Sequence, residues 1–127
     1  MAALMPKTCP LVEVIKSAGF TGILEDKDDQ LYVAYHIGPY HTPETWGFAI
    51  GVPYDQAISR VDAMNKAKAA LSSLEGTPTP VAVDETQKQW YCAYHNQYDY
   101  LSVAVTPIIT SAMLNHISMQ TNNHSSH

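Results

Sequence analysis

The chain has 127 residues, 46% of them hydrophobic and 15% charged, with twelve acidic side chains against seven basic ones and a net charge of −5. That length suits one shared core better than two independent ones, and no apolar run approaches the ~20 residues of a membrane span. With Arg60 as the only arginine, the chain lacks the cationic side chains that give affinity for a phosphate backbone, which disfavours a nucleic-acid partner.

Thr8 and Pro10, followed by Leu11, Val14, Ile15 and Ala18 at helical spacing and then Gly19, predict a short amphipathic helix. Rising β-branched content from Phe20 to Glu25, a charged turn at Asp26 to Asp29 and the β-formers of Leu31 to Ile37 predict a hairpin. The segment Gly38-Pro39-Tyr40-His41-Thr42-Pro43 breaks the strand, and Thr45 to Ile50 resumes it as a third. Pro53 and Asp55 then open a helix whose apolar positions are Ala57, Val61, Met64, Ala67, Leu71 and Leu74. Gly76-Thr77-Pro78-Thr79-Pro80 is the one linker-like stretch.

Beyond it the order returns: a strand at Val81 to Val83, a polar turn, a strand from Gln89 to His95, a break at Asn96 to Asp99, and a strand from Tyr100 to Val105. Thr106-Pro107 reads as an N-cap and first position, with Ile109, Ala112, Met113 and His116 on one face of a final helix. From Gln120 nothing apolar remains to be buried, so residues 120–127 are expected to be a disordered tail. The expected fold is α+β, an N-terminal helix followed by two tandem βββα units, with helices on one side of an antiparallel sheet. Residues 1–119 form one domain of two pseudo-equivalent halves, about 20–75 and 80–119, joined at 76–80.

The duplication is the strongest pattern in the chain. Leu31-Tyr32-Val33-Ala34-Tyr35-His36 returns as Trp90-Tyr91-Cys92-Ala93-Tyr94-His95, each copy preceded by an acidic stretch and a Gln. On a strand Tyr32, Ala34 and His36 share one face, as do Tyr91, Ala93 and His95. With Val33 and Cys92 assigned to the core face, Tyr-x-Ala-x-His stands opposite it in both copies, as packing against a loop or as a paired aromatic and imidazole surface. Tyr40 and Trp46 flank one break, Tyr98 and Tyr100 the matching one, and exposed aromatics there suit partner binding. The candidate binding residues are thus Tyr32, His36, Tyr40, Trp46, Tyr91, His95, Tyr98 and Tyr100.

No catalytic residue, cofactor site or metal site is assigned. His36 and His41 alone lack a zinc pattern, there is no phosphate-cradling glycine loop, and Cys92 as a nucleophile would face away from His36 and His95. The first residues lack the charged and apolar regions of a secretory signal, so a cytoplasmic chain with Cys9 and Cys92 as free thiols is expected.

Residues 25–71 resemble a HicB-type antitoxin domain. The likeness lies in Glu25-Asp26 at the hairpin turn, Tyr32-Val33-Ala34 on the strand, Pro39 in the loop, Trp46 to Ile50, and the Ala-rich run from Asp55-Gln56-Ala57 through Ala69-Ala70-Leu71. The DNA-binding segment of that family has no counterpart here, so the resemblance implies an antitoxin-like protein binder without operator binding. The expected function is a small non-enzymatic binding protein acting through protein–protein contacts, as an inhibitor, antitoxin-like or accessory factor. The alternative is a small-molecule or nucleotide-sequestering protein using the two Tyr-x-Ala-x-His strands. Another protein is the expected partner, a small ligand or a second copy of the chain the next in order.

Overall fold

A computed structural model describes residues 5–108. Helix α1 (Val12–Ala18) ends at Gly19, whose φ of 68° with ψ of −153° is a conformation that suits a residue without a Cβ. Strands β1 (Gly22–Asp26), β2 (Leu31–Gly38) and β3 (Trp46–Pro53) form a meander. A single 3-10 turn (Tyr54–Gln56) leads to α2 (Arg60–Ser72), and β4 (Val81–Ala82), β5 (Trp90–Ala93) and β6 (Leu101–Thr106) follow. All six strands form one sheet of order β1-β2-β3-β6-β5-β4, antiparallel throughout, with β3 and β6 at its centre.

This overturns the expected pair of βββα units. The molecule is mostly a six-stranded antiparallel sheet, with two helices among the described residues, one of them only seven residues long. The helix expected from Pro107 and the tail at 120–127 lie outside the described residues. Thr106 is no N-cap within them; it ends β6, and its hydroxyl donates to the Thr45 carbonyl at 2.7 Å. The second half also holds less strand than expected, because β4 is two residues and β5 four.

Both described helices pack on one face of the sheet. Trp46, Phe48, Ile50 and Val52 of β3 point there and are wholly buried against Ala63, Ala67, Ala70 and Leu71 of α2 and Ile15 of α1. Small alanines at three- and four-residue spacing let α2 lie close on the strands, and burying a side chain as large as Phe48 contributes about 2–3 kcal/mol. The opposite face carries Leu31, Val33, Ala49, Val103 and Val105, with Leu24, Tyr35, Tyr91 and Leu101 beside them.

The pairing register separates the two copies of the repeated strand. Tyr32 pairs with Val52 and Ala34 with Ile50, on the helix-covered face. Tyr91 pairs with Val105 and Ala93 with Val103, on the other face. A twofold axis through the Ala49–Val103 pair carries β3 onto β6, and it carries Tyr32 onto Trp90 and Ala34 onto Cys92. The sequence repeat is thus one residue out of step with the sheet, and a one-residue step changes the face of every side chain. The expected common face of the two Tyr-x-Ala-x-His copies is therefore corrected. The cause lies in the second copy, where Cys92 and Tyr94 turn toward the N-terminal segment that crosses the helix face.

Cys9 and Cys92 are joined by a disulfide across 83 residues of sequence, where free thiols were expected. The segment before α1 is a strap over the core: Pro6 and Pro10 are fully buried, and the Tyr94 hydroxyl donates to the Pro10 carbonyl. Burial raises the phenol pKa of Tyr94 well above its ordinary value, so it remains a donor in that bond.

Candidate functional site

The sequence-predicted site residues do not converge. Tyr32 lies half-buried against Tyr54, ring centroids 4.8 Å apart. Trp46 has no exposure; its indole N–H donates to Thr42 Oγ1 at 3.0 Å, which makes it core. Tyr91 is on the opposite face, and His95 is exposed, its backbone bridged to Glu75. Tyr98 and Tyr100 stack at 5.4 Å over a turn that Asn96 organises, its side chain accepting from both of their N–H groups and donating to the Tyr100 carbonyl.

His36 and Tyr40 are the pair brought together at a cleft, with ring centroids 5.8 Å apart and edge to face. They line an open cleft of about 440 Å³ between α1 and the β2–β3 loop, with Glu13, Ser17 and His41 at its wall. Consecutive left-handed residues, Tyr40 at φ 49° and His41 at φ 60°, turn the loop back. The Tyr40 hydroxyl, its pKa pushed up by burial, donates to the His36 carbonyl at 3.1 Å. Thr42 holds the far side through the Pro39 carbonyl. The Thr21 hydroxyl bonds to His36 Nδ1. The position a Cβ would take on Gly38 is 3.2 Å from Nε2, so glycine keeps that nitrogen uncovered. This arrangement can hold a small polar group. Cys92, the thiol weighed as a nucleophile beside His36 or His95, is tied in the disulfide. Among the described residues no group of three or more His, Cys, Asp or Glu side chains could hold a metal ion.

A second surface, which the sequence reading missed, lies where α2 begins. Helix α2 is capped by Ser59, whose Oγ accepts from the Asp62 N–H at 3.1 Å, while Asp62 Oδ2 accepts from the Ile58 N–H at 3.0 Å. That backbone bond is the main reason the Asp62 carboxyl sits below its ordinary pKa. Lys66 pairs with Asp62 at 3.3 Å and donates to the Gln56 carbonyl. Arg60 pairs with Glu25 at 2.8 Å, and Tyr54 donates to Glu25 at 3.2 Å and to the Gln30 carbonyl at 2.9 Å. These bonds join the β1–β2 turn to the start of α2 as one corner. On it Ile58 is 94% exposed and Val61 73%.

The signal for this corner was Ser59-x-x-Asp62. Starting the helix at Pro53 and Asp55 put Val61 in the buried stripe, whereas a cap at Ser59 puts Ala63, Ala67 and Ala70 inward and Val61 outward.

Among the described residues no helix is long and apolar enough to cross a membrane. No curated protein matches this chain, and no solved structure does. A family model does match, that of the domain of unknown function DUF4949, over residues 8–121, and the chain belongs to that family.

Proposed function

We propose that this protein is a small non-enzymatic binder of other proteins, an inhibitor, antitoxin-like or accessory factor. The observation that carries the reading is the corner at the start of α2, where Ile58 and Val61 stand in water on backbone held by caps and ion pairs. An exposed apolar side chain on loose chain is commonplace, whereas here one stands just before the Ser59 cap and the other in the first turn of α2, on backbone already fixed before any partner arrives.

The second reading, a small-molecule binder, has the 440 Å³ cleft in its favour. It rests on His36 and Tyr40 alone, because Tyr91 and His95 are elsewhere. The buried Cys9–Cys92 bridge supports action in an oxidising compartment in place of the cytoplasm expected from the sequence. Native mass spectrometry of the protein purified gently from its own host tests these readings. Added mass equal to a whole protein supports the binder, a small adduct supports the cleft, and loss of two hydrogens from the chain mass supports the bridge. A bare chain that stays bare with its host extract added back defeats the binder reading.

A further inference from the structure

We infer that the α2 corner is the docking surface, and that it fits a partner whose apolar pocket is rimmed by lysine and arginine; this rests on the protein-binding reading above. The first ground is rigidity. The Ile58 N–H is held by Asp62, the Gln56 carbonyl by Lys66, and the 3-10 turn by the Tyr54 bonds to Gln30 and Glu25. The Ile58 and Val61 side chains therefore project from fixed backbone, as an anchor residue that fills a partner's pocket must.

The second ground is charge. Glu25, Asp26, Asp28, Asp29, Asp55 and Asp62 lie in this corner with Lys27, Arg60 and Lys66, so six negative and three positive charges leave −3 of the chain's −5 here. Arg60 and Lys66 are already matched to Glu25 and Asp62. The exposed carboxylates of Asp28 and Asp55 remain to face a partner. An apolar centre set in a corner with a net negative charge selects a surface with an apolar pocket and an excess of positive charge beside it, and that charge chiefly speeds encounter. A second copy of this chain brings the same negative charge and is repelled.

The test places a photo-crosslinking benzophenone side chain in the full-length protein at position 58, and separately at Tyr98 and His41, in host cells. The partner captured from position 58 is then purified and titrated with wild type, Ile58→Asp, and Asp28→Lys/Asp55→Lys. Unchanged melting curves confirm that these exposed substitutions leave the fold intact. We expect Ile58→Asp to weaken binding about 30-fold or more. The double lysine variant should slow association about tenfold and flatten the fall in rate between about 0.05 and 0.5 M salt. Affinity indifferent to all three substitutions, or an adduct joining two copies of this chain, overturns the inference. Adducts from Tyr98 or His41 with none from position 58 overturn this surface but leave the protein-binding reading standing. No adduct from any position defeats both.

Discussion

Removing the Cys9–Cys92 bridge tests how far the N-terminal strap is held by its covalent link. The bridge closes a loop of 83 residues. In the chain-entropy treatment a loop of that size costs the oxidised unfolded chain about 4.5 kcal/mol of conformational freedom, which the reduced chain regains. A domain of this size has a total stability of about 5–15 kcal/mol, so the loss is a large fraction of it. Noncovalent contacts of the strap survive, since Pro6 and Pro10 are buried and Tyr94 still reaches the Pro10 carbonyl. Reduction should therefore destabilise the fold without changing it. Urea unfolding followed by circular dichroism, on oxidised protein, reduced protein and Cys9→Ala/Cys92→Ala, reads the effect. With a slope of about 1.5 kcal/mol per molar, the midpoint should fall by about 3 M in both altered forms. The alanine variant should lie slightly below the reduced protein, because wholly buried Cys92 also loses its sulfur packing. A fall of less than about 0.5 M in the reduced protein, with the oxidised sample shown to hold no free thiol, would refute the loop-entropy reasoning.

Trp46→Ala removes a wholly buried indole from the centre of the core and should cost about 3–5 kcal/mol by the same assay. Ser59→Ala deletes the cap on the Asp62 N–H and should cost about 1 kcal/mol, read as a lower thermal midpoint with native circular dichroism at room temperature. The Arg60 hydrogen bond to Glu25, and the Ile58 N–H bond to Asp62, hold these carboxyls below their ordinary values of 4.5 and 3.8. Folding gains from their ionised forms above those values, and the gain is lost as pH falls from 4.5 through the lower folded pKa values. The urea midpoint should drop across that window, and less steeply in Asp62→Asn; a midpoint level from pH 5 down to about pH 3 would contradict this.

The meander of the first half was legible because three local signals agree there: β-rich runs, the acidic turn closed by Gln30 at φ 55°, and the Gly38–Pro39 break. What failed was whatever depends on which way a strand faces. Periodicity shows that alternate residues share a face, but it does not say which face a helix will cover, and both Val33 and Ala34 are wholly buried here. Strand β3 illustrates the limit, since it is buried on both sides and carries no alternation. Cysteine pairing was illegible for a similar reason, as Cys9 and Cys92 meet only once the strap crosses the sheet. Of the candidate site, His36 and Tyr40 were named beforehand. Ile58 was missed because the helix start was placed several residues early.

The one-residue step between sequence repeat and sheet register bears directly on function. Had the two copies faced alike, a twofold arrangement would have set two Tyr-x-Ala-x-His strands as matched walls, and a symmetric ligand or a symmetric dimer would have been the natural occupant. Instead the first copy lies under the helices and ends at the His36 cleft, while the second turns Cys92 and Tyr94 inward to hold the strap. Likeness in sequence has become division of labour: one copy shapes a cleft and the other clamps a terminus. A binding surface in such a molecule need not respect the repeat at all. The α2 corner lies at the junction of the first hairpin and α2. The repeat accounts for the likeness of the strands, and the local ion pairs and caps account for the surface offered to a partner.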